Sequence, residues 1–266
     1  MYITTPRLTE LLKKYGIASH TPGKREDKLG DVFEDYCAEI LSDPDLLQKY
    51  LAGQLSDKNT DEIIFKLILD RNEIPNTTDI IKIEASTNIE HRITGGNAKT
   101  DVLADITYKD GSVIQIPISV KQTRADKVAM AEFSVATIKK EVGIKDKKVI
   151  ELMTKHQVDG SAKNFTKDQK TELKTKLKPY AVDLVRWVIS GTIAKNSTDL
   201  RHPKLILKIK VDKKANIKKI SIFNIEEYID IVIKTKKGKL RWGGFGTGLS
   251  WTYATGSKGE KIQFKA

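Results

Sequence analysis

Gly95-Gly96-Asn97-Ala98-Lys99-Thr100-Asp101-Val102-Leu103-Ala104-Asp105-Ile106-Thr107-Tyr108 reads as a glycine turn entering a β-strand. Lys109-Asp110-Gly111 follows as a hairpin turn, because Asp-Gly supplies the backbone freedom that tight connections between antiparallel strands require. Val113–Val120 returns as the partner strand, and its Pro117 predicts a local irregularity, since proline has no N–H to give to a ladder. Strand side chains alternate with period two, so Ser119 and Lys121 share a face, and the hairpin carries Asp101 to their side. One carboxylate, one hydroxyl and one ammonium are thereby expected at neighbouring strand ends. Asp105 has the same parity as Asp101 and reads as a solvated acid.

Helical spacing of Leu29, Val32, Phe33, Tyr36, Ile40 and Leu41 predicts an amphipathic helix over 26–41, with Pro44 beyond its end. A short helix is expected over 61–69 and a strand at Ile80–Ile83. Downstream, residues 131–141 and 148–156 have helical character, and 166–190 forms a long helical stretch interrupted near Pro179. Leu205–Val211 alternates apolar residues with lysine as a half-buried strand does, 218–223 is its expected partner, and 225–233 reads as a short helix. From Leu240 the tail is aperiodic. Without a repeat or an evident linker, a single α/β domain over 1–266 is expected, a mixed central β-sheet flanked by helices. Within it, 26–190 would form the core and 200–266 a basic region.

The 266 residues carry a formal charge of +12, most of it at one end. Residues 201–266 hold 16 Lys and Arg against 5 Asp and Glu, whereas residues 1–200 hold 31 against 30. Such an imbalance attracts a polyanion. Seven of the 17 glycines fall between Gly238 and Gly259, among Trp242, Phe245, Trp251 and Tyr253. Glycines admit close backbone approach and basic residues mixed with aromatics suit phosphate and base contact, so nucleic acid is the leading partner. No run of about 18 apolar residues is present, which argues against a membrane span. The start lacks the pattern of a secretory signal, so a cytoplasmic location is expected. The lone Cys37 excludes an internal disulfide and reads as a core residue on an apolar helical face.

The Asp101, Ser119 and Lys121 set suits metal-assisted phosphodiester hydrolysis. A carboxylate holds Mg²⁺ through oxygen, commonly with waters and a phosphate oxygen. A lysine orients the attacking water and offsets charge building on phosphorus. Glu34, at the border of the apolar stripe on the first strong helix, is a secondary candidate for holding metal or water. No phosphate-binding loop or dinucleotide fingerprint occurs in the right context, and His20, His91, His156 and His202 lack zinc spacing, each reading as a surface or helix residue.

With these residues in view, the sequence resembles the MspI family of type II restriction endonucleases, within the PD-(D/E)XK nuclease superfamily. The matching stretches are Gly95-Gly96…Lys99-Thr100-Asp101, Ile118-Ser119-Val120-Lys121, Lys155-His156-Gln157…Ser161-Ala162-Lys163…Phe165-Thr166, and the long tail motif Gly244-Phe245-Gly246-Thr247-Gly248-Leu249…Trp251-Thr252-Tyr253-Ala254…Gly256-Ser257-Lys258, ending Gln263-Phe264-Lys265. Leu29-Gly30…Glu34…Tyr36 extends the likeness toward the start.

The resemblance implies the restriction-endonuclease fold and a monomeric, Mg²⁺-dependent enzyme that cuts double-stranded DNA at 5′-CCGG after the first C, leaving a 5′ overhang. By the same resemblance Asp101 is the principal metal ligand and Lys121 the catalytic lysine. Ser119 stands where the superfamily usually has Glu or Asp and the family has Asn; short and uncharged, it is expected in the metal set through a water, which shifts coordination toward the carbonyl of Val120. Thr252, Tyr253, Gln263 and Lys265 fall near the bases, while Arg124, Lys127, Lys258 and Lys261 serve as phosphate clamps and Ser257 joins the DNA-contacting set. Ala129 and Ser250 depart from the family's serine and asparagine. A cognate DNA methyltransferase is implied as a functional rather than a physical partner. Two other readings stay open at this point: a structure-selective repair nuclease or junction resolvase with the same chemistry, and a non-catalytic basic nucleic-acid-binding protein.

Overall fold

A computed structural model describes residues 2–19, 22–72, 74–90, 98–239, 241 and 243–266. Gly95, Gly96 and Asn97 of the expected glycine turn lie outside the described residues, as do His20, His91, Leu240 and Trp242. In chain order the elements are α1 (Pro6–Lys14), α2 (Pro22–Leu41), α3 (Pro44–Leu51), α4 (Thr60–Arg71), β1 (Ile80–Ser86), β2 (Val102–Tyr108), β3 (Val113–Thr123), β4 (Ala129–Phe133), α5 (Val135–Val142), α6 (Lys147–Asp159), α7 (Lys167–Leu177), α8 (Ala181–Ser190), β5 (Leu205–Val211), β6 (Ile217–Asn224), α9 (Ile225–Ile233), β7 (Ser250–Tyr253) and β8 (Ile262–Lys265). They fall into two compact units. One comprises Met1–Asp126 with Thr198–Asn224, the other Lys127–Ser197 with Ile225–Ala266.

In the first unit the strands run in the order β1-β2-β3-β5-β6. The neighbours are antiparallel except for the parallel β3–β5 pair. Alternation sends Val102, Ala104 and Ile106, Ile118 and Val120, and Leu205, Leu207 and Ile209 to one face, where they are buried in a core with Leu29, Val32, Phe33, Tyr36, Cys37 and Ile40 of α2. Each Val, Leu, Ile or Phe among them contributes about 1.5–3 kcal/mol on leaving water. The opposite parity of β3 and β5 carries Ser119, Lys121, Lys208 and Lys210, with Lys121 beside Lys208 in register.

Pro117 does not disturb the sheet, contrary to the expected irregularity: Leu103 pairs with it and the β2–β3 register continues on either side without a shift. Its carbonyl accepts from Lys204 N at 2.8 Å, so the missing N–H faces β5 just before that pairing starts at Ile118–Leu205. Two further helices were not anticipated. Thr5 caps α1, accepting from Leu8 N, and Asp43 caps α3, accepting from Asp45 N and Leu46 N. In both, proline follows the cap at a position where its absent N–H costs nothing, so Pro44 opens a helix as well as marking the end of α2.

The second unit holds a three-stranded antiparallel sheet, β4-β8-β7, and helices α5 to α9. Residues 131–133, expected to be helical, belong to strand β4, and α5 begins only after Ser134, whose hydroxyl caps Thr137 N. The tail from 240, expected to be aperiodic, supplies β7 and β8. Of the two readings open for His156, surface or helix, the helix holds. The residue is buried on α6, edge-on to Phe165, Phe245 and Trp251 at centroid distances of 6.2, 5.9 and 5.5 Å, and burial lowers its pKa.

Two glycines of the tail serve the chain's own packing. A Cβ on Gly244 would lie 1.9 Å from the carbonyl oxygen of Leu249, and one on Gly248 would lie 1.9 Å from that of Val232. Thr247, buried between them, donates to Gly244 O at 2.6 Å and accepts from Trp251 Nε1 at 3.3 Å. Phe245 and Trp251, which composition suggested for base contact, pack against one another at 5.0 Å, and Trp251 is buried. No described helix is long and apolar enough to cross a membrane.

Candidate active site

The β2–β3 ladder ends at Val102–Ile118, with Asp101 N donating to Ile118 O at 2.8 Å, while β3 continues to Thr123. Beyond that point the edge of β3 on the β2 side has lost its strand partner, and the side chain of Asp101 takes over. Its Oδ2 accepts from Ser119 Oγ at 2.9 Å, from Val120 N at 2.8 Å and from Lys121 Nζ at 2.7 Å. Among the described residues nothing donates to Oδ1. Backbone N–H and C=O of one strand residue point the same way, so the Val120 carbonyl lies on the edge that Asp101 borders.

The first residue after an ended ladder is thus held by a hydroxyl, an amide and an ammonium at once, and its position is fixed before any substrate arrives. Ser119 is fully buried, whereas Lys121 and Asp101 keep about one sixth of their side-chain surface. Upstream, Thr100 Oγ1 donates to Leu200 O at 2.6 Å and Lys99 N and Thr100 N donate to Arg201 O, which ties the approach to Asp101 to the segment before β5.

Glu34 comes from α2, whose apolar face is sealed on the sheet, and is half-buried. Its carboxyl is pushed up to about 7, first by burial and then by the charge of Asp101, with Lys121 pulling the other way. The structure therefore brings Glu34 within electrostatic reach of the Asp101–Lys121 pair. Asp105 stays apart from this set and accepts from Gln115 Nε2 at 2.9 Å. Cys37 is buried and its thiol is driven up by burial, as a core residue requires. No cluster of three His, Cys, Asp or Glu able to hold a metal occurs among the described residues.

In the second unit, β7 and β8 place Thr252 opposite Gln263 and Ser250 opposite Lys265. Thr252 Oγ1 donates to Gln263 Oε1 at 3.2 Å, and Gln263 Nε2 donates to Glu132 Oε1 of β4 at 2.6 Å. Tyr253 is 42% exposed and its ring lies on Gly160, where a Cβ would come within 2.4 Å of it. Lys258 and Lys261 are exposed, and Ser257 Oγ donates to Ala254 O at 3.1 Å. Arg124 is exposed in the first unit. Lys127 Nζ donates to Gly248 O at 3.0 Å, which makes it an anchor of the glycine tail. Glu132 was hidden from sequence reasoning because 131–141 reads as helical; the cue available was the run of short apolar residues at 128–131 ahead of the Ser134 cap.

Residues 13–266 match the family model for restriction endonuclease MspI. The type II restriction enzyme MspI of Moraxella sp is 36% identical over 265 residues, 98% of this chain and 99% of the relative. The type II restriction enzyme BsuFI of Bacillus subtilis is 26% identical over 272 residues, 99% of this chain but 65% of its own length. A crystal structure of restriction endonuclease MspI in complex with its cognate DNA superposes with a TM-score of 0.85 at 34% identity, covering 99% of this chain and 100% of that one.

The class that follows is a type II site-specific deoxyribonuclease built on the restriction-endonuclease fold. Within that class, the chain belongs to the MspI family of restriction endonucleases.

Proposed function

We propose that this endonuclease hydrolyses double-stranded DNA at 5′-CCGG after the first cytosine, leaving a 5′ overhang, with Mg²⁺ as its cofactor. The observation that carries the chemistry is the convergence of Ser119, Val120 and Lys121 on a single oxygen of Asp101. The donor set suits a hard cation: a carboxylate with one oxygen unclaimed among the described residues, a strand-edge carbonyl, and a second, half-buried carboxyl on α2 that lies within reach of the Asp101 charge. Mg²⁺ takes few protein ligands and keeps waters, so two carboxylates and a carbonyl suffice.

Asp101, the Val120 carbonyl and Glu34 would hold the ion, with Ser119 acting through its hydroxyl on Asp101. When bound, Mg²⁺ supplies positive charge against the phosphate oxygens and the attacking water. Lys121 would orient the attacking water and offset the negative charge developing on the phosphate oxygens as the scissile P–O bond opens. Thr252, Tyr253, Gln263 and Lys265 read base edges in the major groove, where lysine donates to guanine O6 and N7. Arg124, Lys127, Ser257, Lys258 and Lys261 bind the backbone and set the register without specifying sequence. We place the enzyme in the cytoplasm as a monomer in which both units serve one endonuclease, with a DNA methyltransferase of the same specificity as its functional counterpart.

Incubating unmethylated plasmid with the protein and Mg²⁺, then sequencing the ends, tests this reading. Discrete fragments ending at CCGG are expected. Random smearing, or ends at another tetranucleotide, would overturn the assigned specificity. In the same assay Lys121→Ala should lose about 10³-fold or more in cleavage while still retaining DNA on a filter. Normal cutting by that variant would displace the active site from Asp101 and Lys121.

A further inference from the structure

Three residues from three strands stand in one row of the second unit. Register places Glu132 opposite Gln263 and Gln263 opposite Thr252, with Ala129, Lys265 and Ser250 forming the adjacent row of the same face. A register shift between Ala129 and Ala131 is what puts Glu132 there, since an extra residue on one strand changes which side chains face outward. Next to it, Phe133 turns inward and packs on Trp187 at a centroid distance of 3.9 Å. Glu132 itself is exposed. The Gln263 amide donates from Nε2 to Glu132 Oε1 at 2.6 Å, while its Oε1, at 3.2 Å, shares the single Thr252 hydroxyl proton with the Gln263 main-chain carbonyl at 3.3 Å.

From this row the geometry points to Glu132 as a specificity-determining residue, one that fixes the Gln263 amide and presents a carboxylate oxygen to the exocyclic amino group of a cytosine. The proposal rests on the reading that this face meets the major groove. A carboxylate is acceptor-only, and of the four bases only cytosine and adenine offer an amino donor in that groove. Lys265, one row away, is donor-only and selects guanine acceptors. An acceptor and a donor side by side match the two edges of a C·G pair. A carboxylate facing thymine O4 or guanine O6 would instead meet a lone pair, and its repulsion would reject the wrong base. Reversing the amide of Gln263 would set its donor group toward Thr252 and its carbonyl toward Glu132, so the carboxylate also enforces a single amide orientation.

The test compares wild type with Glu132→Gln and Glu132→Ala on a duplex carrying the site found by mapping and on duplexes with each single base-pair change, reading kcat/KM for each. The expected result for both variants is a loss of discrimination at one symmetry-related C·G position of about 10- to 100-fold, with the other positions keeping their ratios. A cognate duplex bearing N4-methylcytosine at that position should be penalised less in Glu132→Ala than in wild type. A uniform fall in kcat/KM with every ratio preserved, as a merely structural contact would give, overturns the proposal, and so does no change at all. Glu132 is exposed, so both variants should fold, and an unaltered melting temperature checks it. Wild type that cuts at a different sequence sinks the CCGG reading alone, because the ratios are then measured at that site; wild type that leaves duplex DNA uncut sinks both.

Discussion

Glu34 illustrates how one residue's surroundings set its chemistry. A carboxyl raised to about 7 in the folded chain, against roughly 4.3 when unfolded, gives up its proton more readily from the unfolded state. Its contribution to stability is therefore complete below about pH 4.3 and lost as pH rises through 7. In metal-free buffer, wild type should lose on the order of 1–2 kcal/mol between pH 4.5 and 7.5 relative to Glu34→Gln, after discounting for partial solvent screening. Urea unfolding of the two proteins across that range measures it, and parallel profiles would show that Glu34 ionises normally. Added divalent cation should recover the loss in wild type and leave Glu34→Gln little changed.

At the scale of elements, the glycine tail shows that a flexible-looking segment can be a tightly locked one. Gly248 adopts φ +75° and has the Val232 carbonyl where a Cβ would sit, so Gly248→Ala meets both backbone strain and a backbone clash. The expected cost is about 3 kcal/mol or more in denaturant unfolding. Gly256→Ala is the control. With nothing within 4 Å of its Cβ, it should stay within about 0.5 kcal/mol of wild type. Equal effects of the two substitutions would mean that the tail is not clamped at Gly248. Because Thr247 and Trp251 hang from this knot, it also sets the start of β7, and with it the row that includes Thr252.

Across the whole molecule, the basic C-terminal quarter proves to be shared between the units. Half of its 16 cations lie between Arg201 and Lys219, on and around β5 and β6 of the first unit, with Asp212 the one acid among them. Lys210 Nζ donates to Asp126 Oδ1 at 2.7 Å, and Lys208 and Lys219 add their charge, holding that carboxyl below its usual range. A cationic face beside the Asp101–Lys121 pair should make capture of DNA strongly salt-dependent. For a short duplex, log(kcat/KM) should fall with log[salt] at a slope of several units, while kcat at saturating DNA moves little. A slope near zero would mean that charge plays no part in substrate capture.

The hairpin, its turn and the closeness of Asp101, Ser119 and Lys121 were legible in the sequence, because strand period and an Asp-Gly turn are local rules. The bounds of β5 and α9 were legible too, as was the pairing of β5 with β6. The resemblance carried by Thr100-Asp101, Ser119-Val120-Lys121 and the tail motif points to the family from the sequence itself. What lay beyond reach depends on partners distant in the chain. Residues 131–133 have helical composition, yet pairing with β8 makes them a strand, and only that pairing sets Glu132 beside Gln263. Phe245 and Trp251 look like stacking platforms until helix α6 supplies His156 to pack against. Glu34 acquires its unusual carboxyl because α2 is sealed onto a sheet whose edge carries Asp101. Local rules thus fixed which residues could act together on the β2–β3 hairpin, and tertiary burial decided which other groups surround them and in what state of charge.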